Sequence, residues 1–553
     1  MTTTSNSPTR HAPSPASVKQ PSLAGIWTLL RFMLRRDRIR TSAWVLGVGL
    51  SGFTFAAAMT SVYETQEDIE GIATLLGDPV MRMLVGPAFG LEEPSHERMF
   101  SAAYVLFIYI PIALFSIFTV VRHTRAEEQS RRAELVRANV VGRHATLTAT
   151  VLLTTAANLV IAVLLWVGGL AAEFSAEGSA LIAAGGFVLG MFFTGVAVVT
   201  VQLSESARAS SAMAGAFLGL AYLIRMGGDM AEEGGSTLSW FSPLAWSQQT
   251  APFVEDRWWP LLISAGFAAG LIWLGYVLST KRDVEASMFA TRLGRAEAKP
   301  SLGTPMGMAG RTLWGGLRGW GIALILTGLM FGSFAQAMVD AADDLPDEMV
   351  QMFSGDDMML AYLAFMGVFI AIFIAAAGVS GLQQLRGEEN HGRAEYGMSA
   401  PVGRTTWLGS HLAVLVIAVA VILALSGLGM GIGAVASLDE GGGEHIGQLL
   451  VATSLQIAPV LAVIGIVTAL FGWLPKIAGA VGWFMIGFSG FVTTFSGMLD
   501  LPDWLIQLSI FSHLAEYPVE DIEWAPILAL SAIGVGGILL GLLGWNRRQI
   551  NRV

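Results

Sequence analysis

Twelve apolar stretches, each close to the length of a bilayer-crossing helix, constrain this chain more than any other feature. They fall at residues 42–61, 100–121, 146–170, 180–201, 211–226 and 261–279, and again at 319–338, 358–380, 407–432, 449–471, 477–495 and 526–545. A helix needs about 20 residues to cross a hydrocarbon core. Lipid offers the backbone no hydrogen-bond partner, so apolar segments of this length satisfy their own N–H and C=O groups as helices. Only 13% of the residues are charged and the mean hydropathy is +0.60, against about 25% charged residues in soluble domains. The expected fold class is an all-α polytopic membrane protein with 12 transmembrane helices in the cell (inner or plasma) membrane. The fifth stretch is the shortest and ends near Arg225.

Charge placement orients these spans, because Lys and Arg collect in cytoplasmic loops. With the N-terminus inside, only Arg82, Arg98, Arg225 and Arg257 of the 32 Lys and Arg residues fall outside. All but eleven of the 42 Asp and Glu residues do the opposite. Both termini are therefore expected in the cytoplasm. Six spans per half is an even number, so the halves share one orientation and form two parallel six-helix repeats. A net charge of -10 without a basic stripe argues against nucleic acid, and Cys 0 excludes disulfides, thiol catalysis and thiolate metal sites.

A polar segment after the second span recurs 261 positions later. RAEEQSRRAELVRANVVGR, ending at Arg143, matches RGEENHGRAEYGMSAPVGR, ending at Arg404. The pairs are Arg125 with Arg386, Glu127 with Glu388, Glu128 with Glu389, Arg132 with Arg393, Glu134 with Glu395, and Val-Gly-Arg at the end of each copy. Ungapped matching of this order implies a duplicated unit. Outside the membrane DPVMRMLVG (78–86) echoes DEMVQMFSG (347–355), and SWFSPL (239–244) echoes SIFSHL (509–514). The semi-apolar stretches 238–254 and 501–519 are too broken to cross and suit short re-entrant or surface helices, with plain amphipathic loops as the alternative. The domains expected are a disordered tail at 1–21, a first half at 22–280, a cytoplasmic linker at 281–310 and a second half at 311–553. Each half opens on an amphipathic helix: Leu23, Ile26, Trp27, Leu30 and Leu34 lie on one face in the first, with Arg31, Arg35 and Arg38 on another. A weaker copy surrounds Leu313, Trp314 and Leu317.

An amphipathic leading helix, six spans and a loop of the form R-x-E-E-x-x-x-R-A-E, ending in P-V-G-R, resembles the permease of an ABC-2 type exporter, here two permeases fused. The organisation is similar to actinobacterial polyketide-antibiotic and multidrug exporter permeases. The proline of P-V-G-R is Pro401 in the second copy but Val140 in the first, which puts equal engagement of the two loops in doubt. The resemblance implies that each loop docks on a nucleotide-binding subunit, with Arg125, Glu127, Glu128, Arg132 and Glu134, and Arg386, Glu388, Glu389, Arg393 and Glu395, as coupling residues. A solvated charge run is the alternative.

No G-x-x-x-x-G-K-[ST] phosphate loop occurs, and no polar stretch is long enough for an ATPase domain. The chain is therefore expected to be no enzyme and to carry no cofactor. The resemblance implies that ATP and Mg bind a partner ABC ATPase, expected in two copies per chain. The rival reading, a 12-span ion-coupled secondary transporter, expects Asp, Glu or His within the spans. No acidic residue falls inside the twelve stretches, and His411 is the deepest histidine.

The resemblance also implies that the second and fifth spans line the substrate pathway. They supply Tyr104, Phe107, Tyr109 and Phe115, then Tyr362, Phe365, Phe369 and Phe373, and from the fifth spans Met213, Phe217, Tyr222, Trp483, Phe484 and Phe488. Such aromatics suit an amphiphilic or hydrophobic drug, antibiotic or lipid-like substrate, although packing against lipid and helices explains each singly. Gly537 and Gly541 have close-packing spacing. The acidic group Asp340, Asp343, Asp344, Asp347 and Glu348 has no EF-hand order, and no metal site is expected.

Overall fold

The structure, a computed structural model, describes residues 22–130, 141–204, 206–281, 297–340, 358–390, 392–399, 401–438, 443–495 and 502–549. All regular structure among them is helical. The tail at 1–21, Arg132, Glu134 and Val140 of the first loop, the 347–355 motif and the acidic residues Asp343, Asp344, Asp347 and Glu348 lie outside the described residues. The chain divides into two compact units, one of Met1–Glu64 with Met81–Arg292, the other of Thr65–Val80 with Leu293–Val553.

The first unit begins with α1 (Ile26–Arg36), which turns at Asp37 into α2 (Arg38–Val62). Gly25 precedes α1 with φ 83, a left-handed conformation that glycine adopts without cost. After α3 (Gln66–Gly77), which belongs to the other unit, and the short α4 (Pro79–Val85) come α5 (His96–His123) and α6 (Arg125–Gln129). The unit closes with α7 (Ala145–Ala171), α8 (Ala176–Leu203), α9 (Ala207–Ala231), α10 (Pro243–Gln248) and α11 (Pro260–Lys281). The second unit holds α12 (Pro305–Ser333), α13 (Ala335–Asp340), α14 (Met358–Asn390), α15 (Arg393–Ser399) and α16 (Arg404–Ser437). It continues through α17 (Gly443–Leu455), α18 (Ile457–Trp473), α19 (Ala478–Phe495), α20 (Asp503–Ile506) and α21 (Trp524–Arg547).

Eleven helical segments among the described residues are long and apolar enough to cross a membrane. The expected span at 477–495 falls on the shorter apolar helix α19. Three further differences have local causes. The 449–471 stretch is built from α17 and α18, which meet at Gln456; Pro459 has no N–H to give the Leu455 carbonyl, so the ladder breaks there. The second leading helix is not separate, because α12 runs unbroken through both it and the span that follows. The fifth span does not stop near Arg225. Its helix α9 continues to Ala231, so Arg225 and Asp229 both lie within it and both are fully buried. The expectation that no acidic residue lies in a span is thus corrected by Asp229.

Helices in lipid gain nothing from hiding apolar surface from one another, so close backbone approach at small residues must hold them. In the first unit α2 packs on α7, α5 and α11 on α8, and α9 on α5 and α8. In the second, α12 packs on α16, α14 and α21 on α18, and α19 on α14 and α18. Glycine makes these seams. A Cβ on Gly168 of α7 would stand 3.1 Å from the Phe53 nitrogen of α2, and one on Gly537 of α21 would run into the Gly465 backbone of α18. Gly537 and Gly541 are therefore packing positions. Gly537→Leu is expected to force α18 and α21 apart at a cost on the order of 3 kcal/mol, seen as a lower melting temperature of the purified chain; an unchanged melting curve would show that the seam yields freely.

Candidate functional site

The repeated loop follows the second long helix of each unit, and its residue types dictate what it can hold. Two carboxylates and an arginine within one helical turn place Arg and Glu at i and i+3, on the same face. In the first copy Thr124 interrupts α5, and α6 starts with Arg125, which is 1% exposed and donates to Glu128 Oε2 at 2.6 Å. In the second copy α14 runs on through the same positions, and Arg386 donates to Glu389 Oε2 at 2.8 Å. The same ion pair thus forms in both units.

Each pair is tied to its own unit differently. In the first, Arg36 at the end of α1 donates to Glu127 Oε1 at 2.6 Å. Asp37 at the α1–α2 corner accepts from Arg122 Nε at 2.5 Å and from the other Arg122 nitrogen at 2.7 Å, with His123 Nε2 3.1 Å away. The Arg122 bond holds the Asp37 carboxylate below its ordinary pKa, against the desolvation that opposes this. A depressed folded-state pKa means that the clasp contributes its full stability above the usual carboxylate range and loses it as pH falls through the depressed value. Gln129 Oε1 accepts from the Ala207 N–H, so the loop also touches the start of α9.

In the second unit Glu389 is 1% exposed and accepts two bonds from Arg548, at 2.7 and 2.8 Å, in addition to that from Arg386. Arg548 lies over the rings of Phe471 and Trp545, 5.2 and 4.8 Å from their centres. Glu388 accepts a paired contact from Arg393 at 2.7 and 2.8 Å. The chain then turns through Gly392, whose φ of 71 suits glycine, into α15. On that helix Tyr396 is 81% exposed and Arg393 is exposed as well, as is Pro401 beyond its end.

The arginine closing each motif has one shared task. Arg143 donates to the carbonyls of Ser279 and Thr280 at the end of α11, 3.4 and 2.7 Å away. Arg404 donates to the Arg548 carbonyl just past α21, at 2.9 Å. A helix C-terminus presents unsatisfied carbonyls and a partial negative charge, which a guanidinium satisfies on both counts. In each unit the loop therefore grips the end of the last long helix. Trp545, fully buried between Trp407 and Phe471 and donating to the Arg404 carbonyl, reinforces the second grip.

Comparison of the two copies exposes the shared residues but not their partners. Asp37, Arg122, Arg36 and Arg548 lie outside the repeated motif, and the usable signal was a single aspartate within a strongly basic leading segment. The expected pathway aromatics separate by burial. Tyr109, Phe115, Tyr362 and Phe365 are buried, and the hydroxyls of Tyr109 and Tyr362 donate to the Ile182 and Phe331 carbonyls. Tyr104 stacks on Phe55, Tyr222 donates to the Leu84 carbonyl, and Phe369 and Phe488 are half-buried. Phe107, Met213, Phe217, Phe373, Trp483 and Phe484 are exposed. His411 is buried and bonded to the Trp407 carbonyl. No cluster of metal-ligating side chains occurs among the described residues.

Long apolar helices with small-residue seams and charged loops at their ends define a multi-pass membrane protein. The family described as "Multidrug efflux system permease Rv1217c, C-terminal domain" matches residues 28–278 and 302–546. The multidrug efflux system permease protein Rv1217c of Mycobacterium tuberculosis (strain ATCC 25618 / H37Rv) is 34% identical over 531 residues, covering 95% of each chain. The chain belongs to this multidrug efflux permease family.

Proposed function

We propose that the chain is the permease subunit of an ATP-driven ABC-2 type exporter that moves amphiphilic or hydrophobic compounds, polyketide-like antibiotics among them, out of the cell. On this reading α19 is the twelfth span, the two units are parallel six-span repeats, and both termini are cytoplasmic. The observation that carries it is the loop: the same Arg–Glu pair and the same arginine cap recur after the second long helix of each unit. A loop braced this way moves with its helices as one body, which force transmission requires. Two such loops call for two copies of a separate ABC ATPase, which carries the ATP and Mg. The matching helix contacts within each unit and the two stretches matched by one family support the duplication. Asp229 does not favour ion coupling, because its carboxylate is engaged by Arg225 and Ser239.

The coupling residues then divide by task. Arg125, Glu128, Arg386 and Glu389 hold the loops in shape, while Arg393, Glu395 and Tyr396, with Arg132 and Glu134 of the first loop, meet the ATPase. The exposed aromatics Phe107, Phe217, Phe373 and Trp483 contact substrate. Arg393→Ala with Tyr396→Ala removes exposed side chains, so melting should shift little, since surface changes stay within about 0.5 kcal/mol. Substrate-stimulated ATPase activity of the reconstituted complex is expected to fall about 10-fold, the equivalent of about 1.4 kcal/mol. Full stimulation in this variant would remove the docking assignment.

A further inference from the structure

We propose that the first helix, α1, together with the start of α2, is a binding surface for anionic phospholipid headgroups. Of its residues only Leu29 and Met33 are buried, in a small core with Ala145, Ala149 and Leu153 of α7. Ile26 and Leu30 pack partly against the same core and Arg36 turns to Glu127, while the remaining side chains of the helix are exposed among the described residues. Trp27 is 70% exposed, and Phe32 and Leu34 are exposed beside it. Interleaved with them are the exposed arginines Arg31 and Arg35, one turn apart, and Arg38 just past the corner.

Charge pairing distinguishes these three from their neighbours. Arg36 and Arg122 are matched to Glu127 and Asp37, which uses the carboxylates at this corner. Arg31, Arg35 and Arg38 make no hydrogen bond or ion pair with the described residues. Three unmatched guanidinium groups beside exposed Trp and Phe present the combination that an anionic bilayer surface satisfies. Guanidinium forks match phosphate oxygens, and aromatic and aliphatic side chains enter the acyl boundary. The bend at Asp37 makes α1 a helix separate from the span and packs it on α7 instead. Among the described residues of the second unit the counterpart differs: α12 is one continuous helix, and its leading portion carries only Arg311 and Arg318, seven residues apart.

The full chain in neutral detergent, without any ATPase, is titrated with a fluorescent short-chain phosphatidylglycerol and with the phosphatidylcholine of equal chain length. A basic side chain beside an anionic surface is worth about fivefold in affinity, so three are expected to give a phosphatidylglycerol preference on the order of 100-fold at low salt. R31Q/R35Q/R38Q should abolish the preference while leaving phosphatidylcholine binding unchanged, R31K/R35K/R38K should keep most of it, and R311Q/R318Q should not alter it. If the triple glutamine variant does not fold, R31Q and R35Q singly should each lose about fivefold. A preference that survives these glutamine changes, or that disappears in R311Q/R318Q, overturns the proposal. Displacement of the lipid by millimolar glycerol phosphate also overturns it, by assigning the arginines to a soluble anion.

Discussion

Replacing Glu389 by alanine is expected to unfold or grossly destabilise the second unit, not merely to uncouple it. The carboxylate is buried and accepts from both Arg386 and Arg548. Removing it takes the shared carboxylate from two guanidinium groups that are only 21% and 16% exposed. Breaking a buried pair by deleting one partner costs about 3–5 kcal/mol. The Glu128 side chain, which accepts from Arg125, retains 12% exposure against 0% for Glu389, so Glu128→Ala should cost less. Melting followed by size-exclusion chromatography separates the outcomes. A Glu389→Ala chain with wild-type melting would show that the Arg548 contact holds nothing together.

The Arg225–Asp229 pair should behave similarly, but with a rescue that identifies it. Both side chains are fully buried; Asp229 accepts from Ser239 Oγ at 2.5 Å and from Arg225 at 3.1 Å, and Arg225 also donates to the Met83 and Leu84 carbonyls at the end of α4. Asp229→Ala or Arg225→Met alone leaves one buried charge unmatched, and each is expected to lose about 3–5 kcal/mol. The double variant removes both charges and should lose no more than either single variant, giving a coupling energy of about 3 kcal/mol or more in the cycle. Additive losses would mean that the two residues act separately and that the pair does not fasten α9 to α4.

What was legible in the sequence followed from how few solutions lipid permits. Apolar stretches of bilayer length leave no alternative to helices, so ten of the twelve appeared as single long helices near their expected positions and the others as the broken α17–α18 and the short α19. Local charges misled where their partners were remote. Arg225 read as the end of a span because Met83, 142 residues away, gives no local signal that it satisfies the guanidinium. The loop was visible as a duplicated motif because both copies lie in one chain. Its construction was not, since half of each clasp comes from Asp37 or Arg548, which share no pattern with it. The arginine caps were hidden for the same reason: the carbonyls they satisfy belong to backbone, and backbone leaves no sequence mark.

The central claim is that this chain exports amphiphilic compounds only when a separate ATPase drives it. The most direct measurement is accumulation of a fluorescent amphiphilic drug in inside-out proteoliposomes containing the chain and its ATPase. Uptake is expected to require both proteins and ATP with Mg, to be insensitive to collapse of ion gradients, and to fall about 10-fold in the Arg393→Ala, Tyr396→Ala chain. Uptake by the chain alone, driven by an imposed proton or sodium gradient, would contradict the account and restore the ion-coupled reading.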